Sequence, residues 1–222
     1  MIDVVMLSLC PDVQSYNMTQ TAINTLHQSE TNYKFNVHLV ETNSNYKDLG
    51  FDFHNANVIT PGGKFGYNKF LNIGLKECSS DYIVIANNDL IFTENWFSTI
   101  INGMVENNLE SASPYNPGWF KHTKFTNKIH IGCNVGEELC GWCIVITKPL
   151  LDMIYPLDEQ FLFWAQDDDL ASIYKQNNIT HGLVTESKVV HLVSQSIKYI
   201  EPEKRHQMLD GGCEQHKQKW DL

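Results

Sequence analysis

The residues best suited to chemistry begin with the run Asp81 to Thr93, DYIVIANNDLIFT, in which an apolar stretch from Tyr82 to Ala86 ends in Asn87, Asn88 and Asp89. A buried strand that delivers a carboxylate at its C-terminal end puts it at a sheet edge, where open α/β sheets bind ligands. A cation held on a diphosphate suits such a group. The same three residues are also good turn formers, capping the backbone and tolerating unusual dihedrals, so the motif needs support from elsewhere. A second cluster, FLFWAQDDDL from Phe161 to Leu170, sets Asp167, Asp168 and Asp169 directly after a dense aromatic run. Carboxylates at a helix start answer the positive end of the helix dipole. That accounts for one or two of them, whereas the aromatic run beside them offers a platform for the apolar face of a sugar or base. The third feature is His191, closing the strand-like run from Ser187. A lone histidine is ordinarily structural, but this one stands at a strand end as Asp89 does. Cys140-Gly-Trp-Cys143 has redox and zinc spacing, yet the following Ile144 to Ile146 reads as a buried strand and no second pair completes a zinc site.

Composition sets bounds on these readings. At 222 residues, 42% hydrophobic and 19% charged, the chain fits one globular domain with a substantial core. No run reaches the roughly 18 apolar residues of a membrane span, and the N-terminus MIDVVMLSLCPD lacks the basic residues of a signal peptide, so a cytoplasmic protein is expected. The six cysteines then read as buried thiols. A net charge of −10 opposes tight nonspecific binding to nucleic acid. Arg205 is the sole arginine and asparagine is abundant, usage typical of an AT-rich genome such as a bacterial virus.

The elements that must position these groups follow from periodicity. Val4 to Leu9 and Phe35 to Val40 read as strands around a helix from about Tyr16 to Gln28. A short third strand is expected at Asn57 to Thr60, a helix from about Tyr67 to Glu77, and another around Glu94 to Asn107. Strand, helix, strand order predicts a parallel sheet with right-handed crossovers. Pro114 to Asn134 shows no clear period and reads as a loop or small hairpin over a site. Trp142 to Thr147 is a strand, Pro149 starts a short helix, another begins near Asp167, and Leu183 to Leu192 is the last strand. The polar tail from about Glu201 to Trp220 reads as a helix folded on the body.

With strand plus Asn-Asn-Asp, aromatic run plus Asp167, and strand plus His191 in that order, the chain resembles the family 2 glycosyltransferases with a GT-A fold, from Asp3 to about Val193. The resemblance implies an α/β fold: a single nucleotide-binding domain over 1–195 with a mixed, mostly parallel sheet flanked by helices, and a helical tail over 196–222 packed on it. Glu41, in Val40-Glu41-Thr42-Asn43-Ser44, takes the place of the acidic residue that helps seat the nucleotide. Lys64-Phe65-Gly66 and Asn72-Ile73-Gly74 match the Gly-rich element and the Asn-x-Gly signature that follows it, which places Lys64 and Asn72 with the donor. Asn87, Asn88 and Asp89 match the relaxed Asp-x-Asp motif, so that Asp89 is a metal ligand and the two asparagines lie against the donor. Gly141 and Leu157 to Phe161 resemble the approach to the acceptor. Gln166-Asp167-Asp168-Asp169-Leu170 resembles Glu-Asp-x-Asp-Leu, with Asp167 in the position of the catalytic base and Gln166 departing from the usual glutamate. His191 would complete the metal site, and Trp142, Trp164, Asp168 and Asp169 would serve the acceptor.

The implied reaction is metal-dependent, inverting transfer of a sugar from a nucleotide diphosphate sugar, a UDP-sugar, to an acceptor hydroxyl. Its physical demands match the residues: a cation on the departing diphosphate and a base on the incoming hydroxyl. An oxygen and nitrogen ligand pair suits Mn2+, with Mg2+ as the alternative. The expected acceptor is a glycan or other hydroxyl compound. A second reading, a viral enzyme acting on hydroxymethylated bases in DNA, would use Lys121, His122, Lys124, Lys128 and His130 as a phosphate-facing patch. A third, a non-catalytic nucleotide-sugar-binding module, is suggested by the uncharged Asn87 and Gln166. A redox protein acting through Cys140 and Cys143 is a fourth.

Overall fold

The computed structural model describes residues 1–192 and 201–221. Its elements, in order, are β1 (Ile2–Ser8), α1 (Val13–Gln28), β2 (Phe35–Glu41), β3 (Asn57–Ile59), α2 (Tyr67–Leu75), β4 (Tyr82–Asn87), β5 (Leu90–Phe92), α3 (Trp96–Glu106), β6 (Ser111–Tyr115), β7 (Ile129–Ile131), β8 (Cys143–Thr147), α4 (Lys148–Ile154), α5 (Gln166–Gln176), β9 (His181–His191) and α6 (Pro202–Trp220). The nine strands form one mixed sheet in the order β3-β2-β1-β4-β8-β6-β9-β5, with β7 paired to β9. Strands β1, β2, β3, β4, β6 and β9 run one way, while β5, β7 and β8 run the other. The sheet is therefore mixed and mostly parallel. No described helix is long and apolar enough to cross a membrane.

Alternation along the central strands divides the core between the two sheet faces. Val4 and Met6 of β1 pack with Ile23 and Leu26 of α1 and with Trp96, Phe97 and Ile100 of α3. Val5, between them, packs with Phe70, Leu71 and Leu75 of α2, Leu150 of α4 and Tyr174 of α5. Both faces of β1 and β4 are covered, which is why those strands read as unbroken apolar runs rather than alternating ones. Helix α1 starts in a capping box: Asp12 accepts from the Ser15 amide at 2.8 Å and the Ser15 hydroxyl lies 3.3 Å from the Asp12 amide.

Two strands differ from the expectation. The segment from Pro114 opens as the end of β6, which lies inside the sheet, antiparallel to β8 and parallel to β9. Its sequence, SASPY, carries no apolar alternation because its buried face is polar and satisfied. Ser111 accepts from the Tyr174 hydroxyl at 3.0 Å and lies 2.8 Å from His181 Nδ1; Ser113 accepts from the Cys140 amide at 3.0 Å. Pro114, with no N–H to give, stands where the register with β9 shifts. The other is β5, three residues immediately after Asp89, paired antiparallel with β9.

Gly74 explains part of the Asn-x-Gly signature. A Cβ there would lie 2.5 Å from Val5 Cγ1 and 3.1 Å from Val40 Cγ2, so glycine lets α2 lie close on the sheet. Val5 is fully buried and stiff at χ1, so it has little room to yield. Overpacking costs about 1–3 kcal/mol, against about 1 kcal/mol that alanine returns in helix propensity. Gly74→Ala should therefore lower the free energy of unfolding by up to about 2 kcal/mol in urea denaturation; a higher midpoint would show that the contact is loose.

Candidate active site

The parallel strands deliver their C-terminal ends to one edge of the sheet: Ser8 of β1, Glu41 of β2 and Asn87 of β4. Because β8 runs the opposite way, Gly141 and Trp142 enter it at this same edge, where the Asn87 amide donates to the Trp142 carbonyl at 2.9 Å. Strand β9 ends there with His191, which stands opposite Leu90 in the β5 pairing. That register brings Asp89 to His191: Asp89 Oδ1 lies 3.1 Å from His191 Nε2. The Leu192 amide also donates to the Asp89 carbonyl at 2.9 Å. The imidazole stacks on Trp142, with centroids 5.4 Å apart and planes at 21°.

Asp89 is 5% exposed, and its Oδ1 makes no hydrogen bond despite the nearby imidazole. An oxygen and a nitrogen coordinated at right angles about 2.1 Å from one cation lie about 3.0 Å apart, which is the spacing seen here. The donor pair thus fits a small divalent ion, with the remaining positions open to diphosphate and water. Another possible set, Asp3, His38 and Cys78, has its donor atoms within 4.8 Å but lies toward the opposite end of β1. There Asp3 Oδ2 accepts from the Ser79 and Ser80 amides and the Ser80 hydroxyl, and Oδ1 accepts from Asn36, so that carboxylate is already satisfied.

At the end of β2, Glu41 is fully buried. Its Oε1 accepts from the Cys10 amide at 3.1 Å and the Asn43 amide at 2.8 Å, while Oε2 has no partner. Asn87 is part-buried and its Oδ1 accepts from the Tyr67 hydroxyl at 3.4 Å. Asn88 turns inward, its amide donating to Thr19 at 2.8 Å and approaching Ser8 at 3.4 Å, so it braces the motif against α1. Asn72 also faces the protein: it donates to the Leu157 carbonyl and accepts from the Leu157 amide, both at 2.9 Å. It clamps the turn that leads toward Asp167. Lys64 is exposed on the loop ahead of α2.

A second part of this edge is built around Asp167, in the first turn of α5. Ala165 takes a left-handed conformation (φ 65°) just before that helix, a strained turn for a residue with a Cβ. A Cβ on Gly141 would lie 2.1 Å from Asp167 Oδ1 and 2.2 Å from its Cγ. The glycine is therefore the space the carboxyl occupies. Burial, and then the Asp168 carboxylate, raise the Asp167 carboxyl to about 6. A narrow cleft beneath it is walled by Tyr67, Leu71, Ile144, Gln166 and Leu170. Gln166 Oε1 is buried there without a partner. Tyr67 was not singled out in the sequence, yet its phenol is held protonated, by burial first and then by Asp167 and Asp89. Only its place at the first position of α2, against both carboxylates, reveals it. Asp168 is part-buried, whereas Asp169 is 2% exposed and bonded to α6. Trp164 packs its ring on Phe163 and its carbonyl against Gly212.

Lys124 and Lys128 pair with Glu137 and Glu186 at 2.6 and 3.1 Å, and His122 is fully buried. Its Nδ1 accepts from the Asn116 amide at 2.8 Å, which leaves Nε2–H to donate to the Glu137 carbonyl at 3.1 Å. His181 donates likewise to the Glu138 carbonyl at 3.0 Å. Two neutral imidazoles thus hold the backbone just before Gly141, and burial lowers both to about 4. Burial raises the thiols of Cys140 and Cys143, the reverse of what redox chemistry needs.

Buried Glu41 at the end of β2, the Asp89–His191 pair and the raised Asp167 carboxyl share one edge of a mixed, mostly parallel sheet, as in proteins of GT-A architecture. The family model for Glycosyl transferase family 2 matches residues 14–151, more than half of the chain, and the protein belongs to that family. It is a glycosyltransferase. No curated protein matches the sequence. Glu41, Asn72 and Asp89 lie within the matched stretch; Asp167 and His191 lie beyond it.

With Asp167 as a reacting group, Gly141→Ala should cut transfer by about a hundredfold or more, because a 1 Å displacement costs that much. Donor affinity, measured by calorimetry, should change little; normal turnover would show that Asp167 tolerates displacement. Acid should weaken the fold through His122 and His181. Neutral in the folded state down to about 4, each contributes stability that is complete above about 6.5 and lost as pH falls to about 4. Asp167, raised, opposes this by one proton between about 3.8 and 6. The net effect is a urea midpoint that falls on acidification from about 6.5; a flat profile with both rings titrating normally by NMR would contradict it.

Proposed function

We propose that this protein is a metal-dependent, inverting glycosyltransferase that uses a UDP-sugar and a hydroxyl acceptor such as a glycan. The reading is carried by one observation: a carboxylate oxygen without a hydrogen bond faces a histidine nitrogen at the sheet edge where a raised carboxyl is lodged against Gly141. Asp89 and His191 would hold Mn2+ or Mg2+. When bound, that ion supplies positive charge to the departing diphosphate.

Glu41 Oε2, buried and without a partner, would accept an N–H from the base, which suits uracil N3–H. Asn87 faces the same edge and is available to donor hydroxyls. Tyr67, kept protonated, is a hydrogen-bond donor between the two carboxylates and holds the Asn87 side chain. Asp167 would take the acceptor proton as the hydroxyl attacks the anomeric carbon from the face opposite the nucleotide, a single displacement that inverts configuration. Its raised carboxyl places the acid limb of the reaction near neutral pH, where a base still takes a proton effectively. Asn72, Asn88 and Asp169 support these groups from behind, and Asp168 tunes Asp167. With Lys124 and Lys128 answered by glutamates, the patch that a DNA acceptor would need is largely neutralised.

The pH profile tests the base. Acceptor-dependent kcat/KM should rise with pH through an apparent value near 6 and then level, and Asp168→Asn should move that rise to lower pH. Asp167→Asn should fold, bind donor with Mn2+ and lose turnover. It should also be more stable than the parent above about pH 6, because a group raised on folding withdraws stability as pH rises through its folded value. Full activity in Asp167→Asn, or donor binding by Asp89→Ala that still responds to Mn2+, would sink the respective assignment.

A further inference from the structure

Beyond the matched stretch, α6 lies against the segment that carries Asp167. Lys219 Nζ donates to Asp158 Oδ2 at 2.8 Å and to Asp169 Oδ2 at 3.0 Å. Trp220 Nε1 donates to Asp169 Oδ1 at 2.8 Å. One lysine thus ties the turn before the aromatic run to the first turn of α5, and the ammonium also lies 5.4 Å from the centroid of the fully buried Phe161. His216 Nε2 meets the Ser172 hydroxyl at 2.9 Å. A Cβ on Gly212 would lie 2.7 Å from the Trp164 carbonyl, so the helix is pressed on the backbone immediately before the strained Ala165. The same turn is gripped from the other side by α2: Asn68 donates to the Asp158 carbonyl at 2.8 Å and Asn72 brackets Leu157.

We infer that Lys219 and Trp220 are positioning residues for Asp167: through Asp158 and Asp169 they fix the segment 158–169 so that the base faces the acceptor. The inference rests on Asp167 being the base. An Asp169 carboxylate that is 3% exposed and receives two donors has one arrangement; deprived of them it would draw the first turn of α5 toward water, and Asp167 with it.

The test is a comparison of Lys219→Met, Trp220→Phe, Lys219→Arg and Asp167→Asn in the full-length protein. Each is measured for transfer kinetics, for UDP affinity in the presence of Mn2+, and for thermal melting. Lys219→Met and Trp220→Phe should each lose about tenfold to a hundredfold in kcat while UDP affinity stays within about threefold, a 1 Å misplacement being worth about that much. Lys219→Arg, which keeps a cation for both carboxylates, should recover most of the loss. Unchanged kcat in both variants beside an inactive Asp167→Asn would overturn the positioning role and leave the base intact. Parallel loss of UDP affinity and melting temperature would overturn it too, by making α6 a prop for the whole fold. An active Asp167→Asn would remove the base and this inference together.

Discussion

The register of β5 on β9 is the constraint on which the site depends. Three residues, Leu90 to Phe92, reverse the chain directly after Asp89 and pair antiparallel with Val189 to His191. The Leu192 amide closes the ladder on the Asp89 carbonyl. A one-residue slip would turn every side chain of the short strand to the opposite face and carry Asp89 away from the imidazole. The pairing is itself underwritten elsewhere. β9 pairs with β5 just beyond a register shift against β6, which falls between Pro114 and Tyr115, and His191 is backed by Trp142, whose carbonyl is bonded to Asn87.

Around this constraint the fold tolerates local states that a protein selected for stability alone would avoid. Among the described residues, the buried side-chain oxygens without a hydrogen bond are Glu41 Oε2, Asp89 Oδ1 and Gln166 Oε1. Such groups ordinarily find partners in a folded interior. All three belong to segments that meet at one edge of the sheet. Asp167 is held against Gly141 with its ionised form disfavoured, and Ala165 is turned left-handed just before it. Elsewhere, as at Ser111, Ser113, His122 and His181, buried polar groups are fully paired. The contrast separates polar groups that build the scaffold from those that the fold leaves without a partner.

Much of this was legible in the sequence, and the exceptions have physical causes. The apolar runs of β1, β2, β4 and β8 were readable because both of their faces are buried. β6 was hidden because its buried face carries serines whose partners, Tyr174 and His181, lie far along the chain. Asp89, His191 and Asp167 were marked by their places at element ends. Asn72, Asn88 and Asp169 were legible as polar residues in the right motifs, but whether an amide or carboxylate turns to a ligand or to the protein depends on which partners the fold supplies. For Asn88 those are Ser8 and Thr19, for Asn72 the Leu157 backbone, and for Asp169 Lys219 and Trp220.

The sequence by itself determined the α/β class, the order of the strands that carry Glu41, Asp89 and His191, and the family, because apolar periodicity and residue type at strand ends are local properties of the chain. Only the tertiary structure decided which of the polar residues are free to act. It paired Asp89 with His191 through a strand too short to read, lodged Asp167 in the space that Gly141 leaves, brought Tyr67 within the influence of both carboxylates, and gave Lys124 and Lys128 to glutamates. Each of these outcomes rests on a contact between residues distant in sequence, and such contacts exist only once the sheet has brought them together.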